Sequence, residues 1–185
     1  MYKRQDNVVT RLRCNEKLSI PIIPSLHGTD LKIAFKIAQT GFAKLSLCDL
    51  GWFGSGIYFT GSVCYCLPYA CIRREPAIIL SYLTMAHVYP VDEDHLATTS
   101  LMGVVIKAGY NSHYVLTNKK GHVLGPSDKE ICDELIVCQE SQILPAFIIK
   151  LNTESALKEL LNWERVTNDI NIDDIKERED FIINI

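Results

Sequence analysis

A chain of 185 residues, 48% hydrophobic and 22% charged, is long enough to bury a core without disulfides or a structural metal, and residues 1–185 are read as one domain. No apolar run approaches the roughly 20 residues that span a bilayer. The basic, polar opening "MYKRQDNVVTRLRCNEK" leads into no secretory-type apolar stretch, so a cytoplasmic protein is expected, with that opening a structural segment or a loose arm. The net charge of −3 is too mild to announce nucleic acid, and nine acidic against four basic residues in 153–185 argue against non-specific nucleic-acid binding there.

In chain order, "LSIPIIPSLHGT" is apolar and interrupted by proline, which suits an edge strand or a strand end. "DLKIAFKIAQTGF" then places Leu31, Ile33, Ala34, Ile37 and Ala38 at helical spacing, with Thr29 or Asp30 as N-cap and Gly41 as the stop. "KLSLCDLGWFGSG" is a turn-rich loop, and "IYFT" is a short β-branched and aromatic strand. "SVCYCLPYACIRR" predicts a helix opened by Ser62, with a kink at Pro68 unless it starts later.

"AIILSYLTMAHVYPV" reads as one or two central strands, and "HYVLT", "HVL", "ELIVC" and "ILPAFIIKL" as four more, joined by polar connections such as "NKKGH". "NTESALKELLNWERVTNDI" carries a capping-box-like Thr153 or Asn152 and a periodic Ala156, Leu157, Leu160, Leu161 face, which predicts a C-terminal helix on the sheet. The acidic stretch after it, "DDIKEREDFIINI", reads as a second helix, a partner-binding segment or a point of truncation. Strands dominate after one early helix, so the fold class is α+β with a largely antiparallel sheet, since a doubly wound sheet needs a helix between most strands.

Seven cysteines, Cys14, Cys48, Cys64, Cys66, Cys71, Cys132 and Cys138, lie mostly in apolar stretches, and their odd number and scatter predict reduced thiols. Cys64, Cys66 and Cys71 with His87 or His95 lack the paired spacing of common zinc modules, so no metal is expected. Three polar residues stand at strand ends or inside strands: His27 after "IPSL", Tyr58 in "GSGIYFT" and Glu134 opening "ELIVC". Singly, each reads as structural: a hydrogen-bonded histidine, a core tyrosine and a solvated glutamate.

In sequence order, "HGT", the helix and "GF", "GSGIYFT", "AIILSYLTMAHVYPV" and "DELIVCQESQILPAFIIKL" together resemble the catalytic domain of the poly(ADP-ribose) polymerase-like, diphtheria-toxin-type ADP-ribosyltransferases. The resemblance covers about residues 25–151 and leaves 152–185 as a helical, acidic extension. It implies a split antiparallel β-sheet with flanking helices and a cleft for NAD as co-substrate, with His27, Tyr58 and Glu134 as the catalytic triad. It further implies that Glu134 holds the nicotinamide-ribose hydroxyl and orients or deprotonates the acceptor, that Tyr58 offers its ring to nicotinamide, and that His27 donates to a ribose hydroxyl on the adenosine side. Gly28 and Thr29 complete the first motif, the Gly28 backbone facing the carboxamide.

Counting from Tyr58 sets the family's nicotinamide-contacting serine at Cys66 and its second stacking tyrosine at Tyr69. A thiol is a weak donor, so Ser62 or Tyr65 stands in if the register differs. Tyr65 and Tyr69 also read as an i, i+4 packing pair. Asp49, Trp52 and Phe53 fall in the loop that covers the donor, Trp52 reading equally as a core plug, and His113 and Tyr114 fall on the acceptor side, His113 reading equally as a structural hydrogen-bonder. The activity implied is mono-ADP-ribosylation of a protein acceptor, with no membrane partner. The alternatives are a nucleic-acid or small-molecule acceptor, polymer formation, and a binding module for NAD, ADP-ribose or a protein without turnover. A related RNA 2′-phosphotransferase would need a cluster of Arg and His that the chain lacks.

Overall fold

The computed structural model describes residues 20, 22–42, 51–91, 101–125 and 131–165. The N-terminal arm, Asp49, His95, Cys14, Cys48 and the stretch after residue 165 lie outside the described residues.

Strand β1 (Ile22–Asp30) leads directly into helix α1 (Leu31–Thr40). Of the two N-cap candidates it is Asp30 that acts: one carboxylate oxygen accepts from Lys32 N at 2.9 Å and the other from Glu75 N at 3.2 Å. The cap therefore also ties the helix to the chain entering β3 (Pro76–Thr84), as Leu31 N does by donating to Glu75 O at 2.8 Å. Gly41 ends the helix, its N–H donating to Ile37 O at 2.8 Å. Beyond it come β2 (Ile57–Phe59) and helix α2 (Val63–Cys71), which Ser62 caps by accepting from Tyr65 N at 3.3 Å. Helix α2 runs through Pro68, although proline cannot supply the i−4 donor that the Cys64 carbonyl would otherwise receive.

"AIILSYLTMAHVYPV" resolves into β3 and β4 (Val88–Val91). β5 (Ser112–Thr117), β6 (Cys132–Val137) and β7 (Ile143–Lys150) follow as expected from their sequence. "HVL" differs: Val123 makes an isolated bridge to Thr117 and no strand forms, because the chain turns at Asn118–Gly121 and returns for only a few residues. Helix α3 (Thr153–Arg165) opens on Asn152, whose Oδ1 accepts from Ser155 N at 2.9 Å.

The strands form two sheets, ordered β1-β3-β7 and β2-β6-β5-β4. All pairings are antiparallel except β4 with β5, so the structure is α+β with two mainly antiparallel sheets and three helices among the described residues. One core lies between the sheets, joining Ile79 and Leu83 of the first to Phe59, Leu135 and Val137 of the second, with Ala34 of α1 and Phe42. These side chains are almost wholly buried, each of those larger than Ala34 worth roughly 1.5–3 kcal/mol. A second cluster joins α2 and α3 to β3 through Cys66, Leu67, Ala70, Ile78, Ala156 and Leu160. The C-terminal helix thus packs mainly on α2, and Leu157 of its expected apolar face stays exposed.

Candidate active site

The edge strands of the two sheets, β1 and β2, meet at one bridge: Leu26 N donates to Thr60 O at 2.8 Å and Thr60 N to Leu26 O at 3.0 Å. Beyond that bridge the sheets part. His27 crosses the gap, its Nδ1 lying 2.9 Å from the carbonyl oxygen of Tyr58 and its ring wedged against Phe42 and Phe59 at 5.2 and 5.6 Å between centroids. A carbonyl only accepts, so Nδ1 carries the proton. Burial lowers the pKa of this imidazole, the Tyr58 carbonyl raises it and the Arg73 charge lowers it; the balance is downward. In this neutral tautomer Nε2 is an acceptor, the reverse of the donor role implied by the family resemblance.

Tyr58 pairs with Ile136 across β2 and β6, and antiparallel partners share a face. Glu134, two residues from Ile136, therefore lies on that same face, diagonal to Tyr58. The Tyr58 ring packs beside Phe53, Val115 and Ile136, and its hydroxyl is clamped by the loop before it, accepting from Phe53 N at 3.0 Å and donating to Gly54 O at 2.6 Å. Trp52 projects from this loop, 62% exposed, while its neighbour Phe53 is the residue that plugs the core.

Glu134 is buried, and its Oε1 accepts a short hydrogen bond from the Tyr65 hydroxyl. Tyr65 stands in the first turn of α2, next to Tyr69 with 6.1 Å between ring centroids. Burial, then Tyr69, then Glu134 push the Tyr65 phenol well above its ordinary pKa, so it keeps its proton. Gly121, in the turn after β5 at φ +76°, closes over the pair: a Cβ there would stand 2.8 Å from the Tyr65 hydroxyl and 3.9 Å from Glu134 Oε1. Gly28 completes the circuit. A Cβ on it would lie 2.7 Å from Cys66 O, 2.9 Å from Ala70 N and 3.0 Å from Tyr69 Cβ, so its missing side chain is what lets β1 approach α2.

Gly28, Tyr69, Tyr65 and Glu134 thus meet around α2, Glu134 shares its face of β6 with the strand partner of Tyr58, and His27 reaches the Tyr58 carbonyl from the side of Phe42 and Phe59. Other candidate residues sit elsewhere. Thr29 is buried in β1, and the Ser62 oxygen serves the cap of α2. Cys66 is in the core under α2 and α3, where burial and then Cys71 push its thiol up to about 12. Tyr114 is a core residue, and His113 is structural: its Nδ1 bonds Phe53 O at 2.8 Å and its Nε2 accepts from Lys107 N at 3.0 Å.

Two contacts behind the site are not readable from the sequence. Tyr65, a candidate carboxamide donor or packing residue, instead bonds Glu134, and nothing in the sequence ties the two together. Asp133 points away from Glu134, as alternation requires, and accepts from Gly61 N at 2.7 Å, Thr60 Oγ1 at 3.0 Å and Tyr114 Oη at 3.4 Å. It anchors the start of α2, and its place beside an acidic strand opening was the only signal.

Among the described residues no three His, Cys, Asp or Glu side chains gather as a metal site, and no helix is long and apolar enough to cross a membrane. In comparisons with known proteins, no family model matches the chain and no curated protein matches its sequence.

Proposed function

We propose that the protein is an NAD-dependent ADP-ribosyltransferase that transfers ADP-ribose to a protein acceptor. The observation that carries this reading is that His27 bonds the Tyr58 carbonyl while Glu134 shares the face of Tyr58 across β2 and β6, so that three distant segments become neighbours. The chemistry asks for these residue types. When the N-glycosidic bond of NAD breaks, nicotinamide leaves with the bonding electrons and the ribose becomes oxocarbenium-like, a charge that a buried carboxylate stabilises. Glu134 supplies that carboxylate and accepts from a ribose hydroxyl. Its position also suits proton removal from the acceptor, whose lone pair forms the new bond to the anomeric carbon.

Tyr58 offers a ring held by two backbone hydrogen bonds, the kind of rigid face that attracts a cationic nicotinamide. Tyr69, 46% exposed beside Gly28, offers a second. His27 contributes Nε2 as acceptor to a ribose hydroxyl, and the exposed Trp52 supplies apolar surface at the mouth. The test of the acceptor class is incubation with NAD labelled in the adenylate, a protein mixture and a nucleic-acid mixture. Label on protein that is lost with Glu134→Ala is expected; label on nucleic acid alone would replace the acceptor.

A further inference from the structure

We propose that Tyr65 is the positioning residue of this site: its hydroxyl donates to Glu134 Oε1, fixes the orientation of the carboxylate and favours its charged form. This rests on the ADP-ribosyltransferase reading for its catalytic consequence, but the contact stands on geometry alone. The two side chains come from elements 69 residues apart, and both are at least nine-tenths buried. Neither could turn outward without moving the other. A buried carboxylate needs donors to remain ionised, and a phenol hydrogen bond to the charged form supplies one. The phenol itself cannot take over the charge, because burial and its neighbours hold it protonated. Gly121 belongs to the same device, since any side chain there would meet the Tyr65 hydroxyl.

Among the described residues, helix α2 presents Tyr65 and Tyr69 and strand β6 presents Cys132 on the face of Glu134, while the ammonium of Lys119, in the turn carrying Gly121, lies over the Trp163 ring. Asp133, on the opposite face, is committed to Thr60, Gly61 and Tyr114. The Tyr65 proton is aimed at the carboxylate, so removing it weakens the charged form of Glu134 without removing a lysine or adding a charge.

Tyr65→Phe keeps the ring and deletes the donor. With NAD as substrate, kcat for nicotinamide release is expected to fall roughly tenfold to a hundredfold with KM little changed, as loss of one hydrogen bond to a charged group implies. The acid limb of the pH profile should move to higher pH, since the charged carboxylate loses a donor. In a Glu134→Gln background the same substitution should cost almost nothing more, because Tyr65 acts through Glu134. An equal, additive loss in both backgrounds, or no loss in either, would overturn the assignment.

A readout independent of turnover separates this proposal from the enzymatic reading. In protein labelled with carbon-13 at the glutamate carboxyls, the Glu134 signal, identified by its absence from Glu134→Gln, should titrate higher in Tyr65→Phe than in the wild type. Identical titration overturns the proposal even if NAD is consumed; a shift sustains it even if NAD is not. Should Tyr65→Phe fail to fold, the downfield hydroxyl proton of Tyr65 in the wild type, displaced upfield in Glu134→Gln, reports the same contact, and a signal indifferent to Glu134 counts against it.

Discussion

At His27 a single hydrogen bond decides which nitrogen carries the proton. The Tyr58 carbonyl takes the Nδ1 proton, the rings of Phe42 and Phe59 desolvate the imidazole, and its folded pKa falls below the ordinary 6.5. The unfolded chain then binds more protons than the folded one in the window from 6.5 down toward the lowered value, so stability is complete above that window and declines as pH drops through it. Thermal unfolding of the wild type is therefore expected to move to lower temperature below about pH 6.5, and His27→Gln should flatten that slope. A slope unchanged by the substitution would mean that His27 titrates as it does in water.

At the scale of elements, the packing of β1 against α2 sets where Tyr65 and Tyr69 stand. Gly28→Ala puts a methyl 2.7 Å from the Cys66 carbonyl oxygen, and backbone has no rotamer through which to yield. A loss of about 1–3 kcal/mol in chemical denaturation is expected, with weaker NAD binding as α2 shifts. Native stability would show that β1 and α2 have room to spare. These elements were legible in the sequence wherever local chemistry dominates. Asp30 and Gly41 bound α1 as their residue types dictate, Ser62 opens α2, and alternation along "DELIVC" puts Glu134 on one face and Leu135 on the other. What was not legible depends on distant partners. "HVL" has strand-like composition, but a tight turn leaves it one bridge; Cys66 counts correctly from Tyr58 yet faces the α2–α3 core, because helix rotation, not spacing from a strand, decides its direction. Tyr65 and Glu134 meet only because α2 lies across the opening of β6.

Over the whole molecule, two sheets share one core while their edge strands touch only at Leu26 and Thr60. That arrangement leaves a seam between the sheets, which His27 of one sheet bridges by its bond to the Tyr58 carbonyl of the other. An α+β fold with mainly antiparallel pairing was readable from the run of strands; the division into two sheets, implied only by the family resemblance, was not readable from that run, because it follows from β2 choosing β6 and not β1 as its partner. The most direct measurement is nicotinamide release from NAD by the purified wild type and by Glu134→Gln, with NAD binding followed in parallel. Release that falls by about two to three orders of magnitude in Glu134→Gln, with NAD still bound, is the predicted result. Equal release by both proteins, or NAD bound by the wild type and never cleaved, would contradict it.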